Sequence, residues 1–345
     1  MRARELVWLV LAVLIASCAP AGASAPSAAA PTNPAAEAPA SAPLPSAAAP
    51  ANLQAITVHN FGPTVNTAII QYGIEHGYYR DEGLDVSLQL ADASVGVQLT
   101  AAGHVDFTTS VGSALAAAVR GVPVKVVFPT ADRPLWWMYA EPSIASIAEL
   151  RGKKVGASSA GSSLTIVLRL ILERHGLVGD DVSLVNLGSP QRYAALQSGA
   201  VEAAFLVAPY NLVADAAGYR QLFNSKDEGI LLITEGLATN DDTLRDRPTM
   251  VRQMLRASLR ALQGMREDRA GAIDTVARFT EVDPEEARQI YEFALPTWTT
   301  NGTAEEPVLR QSIDIMKLTA QVDTPVPEDQ VFDLRIAREV AAAGR

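Results

Sequence analysis

Hydrophobic positions along the chain fall into two successive runs in which strand-like and helix-like periods alternate. Ile56 to Asn60 is a β-type run, and after Phe61-Gly62-Pro63-Thr64 the apolar positions Ala68, Ile69, Tyr72 and Ile74 recur at helical spacing. Thr64 is the expected N-cap of that helix. The alternation continues with Leu84 to Leu90 as strand, Val95 to Ala102 as helix stopped by Gly103, Val105 to Thr109 as strand, and Ser113 to Val119 as helix closed by Gly121. A second run begins near Leu150. It predicts a strand over Lys154 to Ala157, a helix over Leu164 to Arg174 closed by Gly176, and a strand over Val182 to Leu187. A helix over Tyr193 to Gln197 closed by Gly199 and a strand over Val201 to Val207 complete it.

Alternating β and α elements imply an α/β fold in which a mostly parallel sheet is flanked by helices, here twice over. After Ile230 to Thr234 the pattern is helical: Pro248 to Met265, Ala270 to Phe279, Pro284 to Ala294, Pro307 to Gln321 and Pro327 to Ala341. Pro248, Pro284 and Pro327 stand where first helical turns accept proline. A tail of this kind can pack back on the first lobe, which places 53–138 and 240–345 in lobe 1 and 139–239 in lobe 2. Leu135-Trp136-Trp137-Met138-Tyr139 is then the expected first crossover. The two runs echo each other: Leu99 to Asp106 and Leu196 to Glu202 each give a helix end, a glycine and an acidic residue opening a strand.

The front of the chain is of another kind. Arg2 and Arg4 precede an apolar run from Leu6 to Ala16, followed by small residues, the order of an export signal and too short a run to span a bilayer as a helix. Ile15-Ala16-Ser17-Cys18 resembles the bacterial lipobox, so residues 1–17 are expected to be a lipoprotein signal peptide and Cys18 the lipidated residue. Cleavage after Ala23 or Ala25, each ending an Ala-x-Ala triplet, is the alternative. Cys18 is the single cysteine, so no intrachain disulfide forms. From there to residue 52 the chain is nearly all Ala, Pro and Ser, a stiff tether that would hold a domain away from a membrane.

Composition narrows the function. With 48% hydrophobic residues the chain can bury a sizeable core. Its formal charge is −10, and losing Arg2, Arg4 and Glu5 removes a net +1 to leave −11; with no basic stripe to offset it, nucleic acid is excluded as a partner. Gly156-Ala157-Ser158-Ser159-Ala160 fails the nucleophile-elbow pattern at its fifth position, and the four histidines, 59, 76, 104 and 175, have no metal-ligand spacing. There is no phosphate loop with Lys and Ser/Thr. No catalytic residue, metal or cofactor is expected.

Several motifs carry a family resemblance. Gly77-Tyr78-Tyr79-Arg80-Asp81-Glu82-Gly83-Leu84-Asp85-Val86, Ala102-Gly103-His104-Val105-Asp106-Phe107, Val119-Arg120-Gly121-Val122-Pro123-Val124-Lys125-Val126-Val127 and Ile147-Ala148-Glu149-Leu150-Arg151-Gly152-Lys153-Lys154-Val155-Gly156 occur in that order. Together they resemble the periplasmic substrate-binding proteins of ABC importers for nitrate, sulfonates, taurine and thiamine-pyrimidine precursors. The resemblance covers most of the chain from Ile56 to about Tyr210. It implies a two-lobed periplasmic-binding-protein type II fold with the ligand cleft between lobes. It also implies a monomer that delivers a small-molecule ligand to permease and ATPase subunits at the extracytoplasmic face of a membrane. A pyrimidine-precursor synthase shares that fold but carries a cysteine-rich segment and no export signal; a sensor receptor is a further alternative.

In open α/β sheets the crevice lies beyond the carboxyl ends of the strands. That rule selects four loops, two per lobe, and the resemblance implies the same ones. The candidate ligand-binding residues are Phe61, Gly62 and Thr64; Ser110, Gly112 and Ser113; Ser158, Ser159, Gly161, Ser162 and Ser163; and Tyr210 and Asn211. Hydroxyls and backbone N–H groups at helix N-termini suit strong acceptors, although Ser and Thr also serve as simple caps. Phe61, Trp136, Trp137, Tyr210 and Trp298 are candidate walls for a planar heterocycle or aromatic acid. Trp136 and Trp137 alternate along a strand, so one of them faces the cleft; Trp136 is the residue assigned. Arg192, at the start of a helix, is either a carboxylate partner or a solvated surface residue.

Overall fold

The computed structural model describes residues 52–344. The expected signal segment, Cys18 and the tether up to residue 51 lie outside them. The described chain runs through β1 (Gln54–Asn60), α1 (Ala68–Glu75), the single turn α2 (Tyr78–Asp81), β2 (Leu84–Leu90), α3 (Ala93–Ala101), β3 (Phe107–Thr108), α4 (Val111–Val119) and β4 (Val124–Ala131). It then crosses to β5 (Trp136–Ala140), β6 (Lys154–Ala157), α5 (Ser163–Arg174), β7 (Ser183–Asn186), α6 (Ser189–Gln197), β8 (Ala203–Val207), α7 (Tyr210–Ala216) and β9 (Arg220–Asn224). It returns through β10 (Glu235–Asn240) and ends in α8 (Asp241–Asp246), α9 (Pro248–Glu267), α10 (Arg269–Thr280), α11 (Pro284–Ala294), α12 (Glu306–Ala320), α13 (Glu328–Val331) and α14 (Arg335–Ala343).

The strands form two five-stranded sheets, ordered β2-β1-β3-β10-β4 and β7-β6-β8-β5-β9. In the first, β10 runs antiparallel to both of its neighbours; in the second, β5 does. The other four strands of each sheet share one direction. The order is the same in both lobes, and so is a detail of the sequence echo. Asp106 accepts the Thr57 amide of β1 at 2.8 Å and returns its own N–H to the Thr57 carbonyl at 2.9 Å. In the second lobe Glu202 accepts the Lys154 amide of β6 at 2.8 Å and donates to the Lys154 carbonyl at 3.0 Å. The acidic residue after each glycine stop therefore pairs with the backbone of the first strand of its lobe, at Thr57 within β1 and at Lys154 at the start of β6.

Most predicted elements stand within a few residues of their expected bounds, and the differences have physical causes. Trp136–Ala140 is a strand of the second sheet, paired with β8 and β9, rather than the crossover; its five residues are all buried, which two neighbouring strands explain. Glu235–Asn240 is a strand of the first sheet that the helical reading of the tail passed over. The sheets therefore exchange at 132–135 and 225–234, some residues before the boundaries expected at 138/139 and 239/240. These two crossovers run side by side: Leu232 donates to the Asp132 carbonyl at 3.1 Å, and the Ser225 hydroxyl donates to the Pro134 carbonyl at 2.7 Å.

Thr64 does not cap α1, which starts after Thr67; its hydroxyl accepts the Thr67 amide at 3.2 Å and closes the turn before the helix. The helix expected over Pro327 to Ala341 is broken at Phe332–Leu334. There the Asp333 amide donates to the Val126 carbonyl at 3.0 Å and satisfies a backbone group on β4, an edge strand that would otherwise leave it open. In the tail, α9, α10 and α14 pack on lobe 1, with α9 against α1, α2 and α14, and α10 against α1. Helix α12 touches α4 and α5 and so contacts both lobes.

Candidate functional site

Six strand-to-helix loops, three from each lobe, converge on one cleft with a volume of about 510 Å³. Lobe 1 contributes the loops β1–α1, β2–α3 and β3–α4; lobe 2 contributes β6–α5, β7–α6 and β8–α7. The crossover residues Leu135, Trp136, Thr234 and Glu235 complete the lining. The size is that of a site for a small organic molecule.

The cleft brings together Phe61, Gly62, Thr64, Ser110, Gly112, Ser113, Trp136, Ser158, Ser162, Ser163 and Tyr210 among the residues singled out in the sequence. Ser159, Gly161 and Asn211 are not in the lining. Ser159 and Asn211 are buried, each one residue past a lining position. Of the two adjacent tryptophans, Trp136 lines the cleft, while Trp137 projects to the opposite face of β5 and meets Phe293 edge-on with ring centroids 6.1 Å apart. Trp298 is not a wall either. Its indole N–H donates to Asn66 Oδ1 at 2.7 Å.

The hydroxyls divide into those used by the fold and those left over. Ser162 caps α5, accepting the Thr165 amide at 3.3 Å, so its oxygen is partly committed. Ser110 occupies the N-cap position of α4 without making a cap bond, and its hydroxyl is buried with no partner. Thr234 Oγ1 is in the same state. Gly112 lies where α4 and α5 meet: a Cβ there would fall 2.4 Å from Ser163 Oγ, so only glycine lets the two lobes approach this closely. Tyr210 is held by Tyr193, the rings stacked at 6.1 Å.

Three charged residues in the lining were not assigned from sequence. Arg192, left open as a surface residue, is 3% exposed; burial lowers its pKa to about 10. Its guanidinium donates to the Leu187 carbonyl at 3.0 Å and to Ser189 Oγ at 2.8 Å, while Nε has no partner. Glu235 Oε2 is buried and unpartnered, and burial pushes the carboxyl up to about 8 against the lowering influence of Asn66. Asp92, at the rim, behaves oppositely: burial raises its pKa, but hydrogen bonds from the Ser94 hydroxyl and amide outweigh this and hold it below the usual range. The crevice rule applied to every strand, rather than to four, selects 90–93 and 186–192 as well. Glu235 stands on an antiparallel strand that carried no recognised pattern, and so lacked a signal.

Comparisons with known proteins agree with this geometry. The NMT1/THI5 like family model matches residues 64–272. The riboflavin-binding protein RibY of Chloroflexus aurantiacus is 27% identical, with 94% of each chain covered. Among solved structures, the alkanesulfonate-binding protein SsuA from Xanthomonas axonopodis pv. citri superposes with a TM-score of 0.64 at 17% identity, covering 84% of this chain and 98% of its own. The desulfurization enzyme DSZB superposes with a TM-score of 0.62 at 17% identity, covering 85% and 100%. At such identities the two structures establish the fold, which binding proteins and an enzyme share. With the family model spanning more than half its length, the chain belongs to the NMT1/THI5-like family and has the two-lobed fold of periplasmic binding proteins.

Proposed function

We propose that the protein is the extracytoplasmic solute-binding component of an ABC importer, tethered to the membrane through lipid on Cys18, and that its ligand is a flat heterocycle of flavin or pyrimidine type. The observation that carries the reading is the cleft itself. It is about 510 Å³, placed between two lobes joined by paired crossovers, with Phe61, Trp136 and Tyr210 in its lining. A taurine-sized sulfonate would leave most of that volume to water, whereas a multi-ring ligand would fill it and stack on the aromatic walls. The similarity to RibY over nearly the full length of both chains supports the same ligand class.

The pyrimidine-precursor synthase reading would use His59 as a reactant. His59 is fully buried, its Nδ1 2.8 Å from Thr108 Oγ1 and its Nε2 3.1 Å from the Ala91 carbonyl, and it is not in the cleft lining. That position supports binding over chemistry. Ligand contacts to both lobes would stabilise a closed state by hinge motion about 132–135 and 225–234.

A thermal-shift series with riboflavin, a thiamine-pyrimidine precursor, taurine and nitrate tests the assignment. At a hundredfold excess over Kd, the true ligand class raises the melting temperature by roughly 5 °C. A shift from riboflavin or the pyrimidine supports the proposal; a shift from taurine or nitrate alone contradicts it.

A further inference from the structure

The mouth of the cleft differs in chemistry between the lobes. On β2 the side chains alternate, Leu84, Val86 and Leu88 on one face and Asp85, Ser87 and Gln89 on the other, and the apolar row runs on to Leu90. Burial falls away along that row: Leu84 and Val86 are buried, Leu88 is half-buried and Leu90 is 68% exposed. The last step carries the row beyond the covered part of the sheet and into the lining of the cleft. Of the exposed large hydrophobic side chains among the described residues, Leu90 alone lines it. The adjoining loop is held in place. The Ala91 amide donates to the Asn60 carbonyl at 3.2 Å, His59 Nε2 lies 3.1 Å from the Ala91 carbonyl, and the Asp92 carboxylate accepts the Ser94 amide at 2.9 Å. A leucine fixed in water at the rim of a site gains free energy when something apolar covers it.

Lobe 2 has the opposite chemistry at the equivalent place. Leu90 ends β2, paired with Asn60, and Asn186 ends β7, paired with Ala157. Both strands are outer strands of their sheets, and the amide after β7 is held as the one after β2 is, Leu187 donating to the Ala157 carbonyl at 2.9 Å. Asn186 is exposed and lines the cleft, so the mouth offers an apolar side chain from one lobe and a carboxamide, both donor and acceptor, from the other.

We propose that Leu90 and Asn186 orient the ligand, Leu90 covering an apolar edge of a planar ring system and Asn186 hydrogen-bonding to its polar edge. The inference rests on the binding-protein reading and narrows its ligand to a heterocycle fused to an apolar ring. A single pyrimidine, taurine or nitrate lacks that ring and would leave Leu90 in water.

The test is a fluorescence titration of the full chain and of the variants Leu90→Ser, Leu90→Met and Asn186→Ala with riboflavin and with its analogue lacking the two ring methyl groups, together with the ligand-free melting temperature of each. Leu90→Ser should weaken riboflavin binding about tenfold, roughly the worth of covering a leucine, and Leu90→Met should stay within about threefold. With the unmethylated analogue the loss in Leu90→Ser should shrink to less than about threefold, whereas Asn186→Ala should cost about fivefold with both compounds. The ligand-free melting temperatures should agree within about 2 °C, because both side chains are exposed. Riboflavin binding as tight as that of the unsubstituted protein in Leu90→Ser or in Asn186→Ala would overturn the proposal. So would equal losses in Leu90→Ser with the two flavins, which would seat Leu90 on lobe 2 instead of on the ligand. Should riboflavin fail to bind the unsubstituted protein, the flavin reading falls by itself, and the uncharged apolar fluorophore N-phenyl-1-naphthylamine decides. Weaker binding of it in Leu90→Ser with unchanged binding in Asn186→Ala would sustain the proposal; any other pattern would overturn it.

Discussion

Burial pushes the Glu235 carboxyl up to about 8, and no cation among the described residues opposes the shift. Its folded pKa, about 8, lies above the unfolded value of 4.5, so the stability tied to its proton is fully present below the unfolded value and is lost as pH rises through the folded one. Relative to Glu235→Gln, the unsubstituted protein should lose about 1.4 kcal/mol per pH unit between those values, measured as the difference of two urea-unfolding series. Parallel curves would show that the carboxyl is not protonated. Residue chemistry was legible in sequence where it repeats a local rule. Ser110, Ser162 and Ser163 stood out because hydroxyls gather at helix N-termini, and glycines because stops need positive φ, as at Gly103 and Gly199. Arg192 and Glu235 were not legible in this way, because burial without a partner is a property of the assembled cleft.

At the scale of elements, the α4–α5 meeting limits how close the lobes come. A methyl on Gly112 would press on Ser163, so Gly112→Ala should hold the lobes apart and weaken ligand binding at least tenfold, with Ser163→Gly restoring it in the double variant. Calorimetric titration of the two single variants and the pair checks this; equal affinity in Gly112→Ala would show that the contact does not gauge closure. Gly236 has a different task. It follows a register shift in the β10–β4 pairing, with φ +133° and a would-be Cβ 2.0 Å from the Phe128 carbonyl oxygen. Gly236→Ala should cost more than about 3 kcal/mol in urea unfolding and disturb Glu235 beside it. Helix and strand periods predicted β2, β6 and α11 to the residue because each has a single clear pattern between punctuating residues. They missed β10, and they took β5 for the crossover rather than a strand of the second sheet; these are the strands that run against their sheets after crossing between lobes. Trp136–Ala140 is apolar throughout, and Glu235–Asn240 follows an apolar segment without a turn signal, so neither announces its partner.

At the scale of the molecule, two sheets of identical strand order face a common cleft, and in each the acidic residue of the sequence echo holds the backbone of β1 or β6. That plan was visible in the alternating periods and in the ordered motifs from Gly77 to Gly156. The shape of the cleft was visible only in part, since six loops build it and four were selected. A small heterocycle captured between the lobes would touch both of them. The most direct test of that capture is amide hydrogen exchange with and without saturating riboflavin. Protection is expected at 60–66 and 110–113 in one lobe together with 158–163 and 186–192 in the other. Protection confined to one lobe, or to neither, would contradict it.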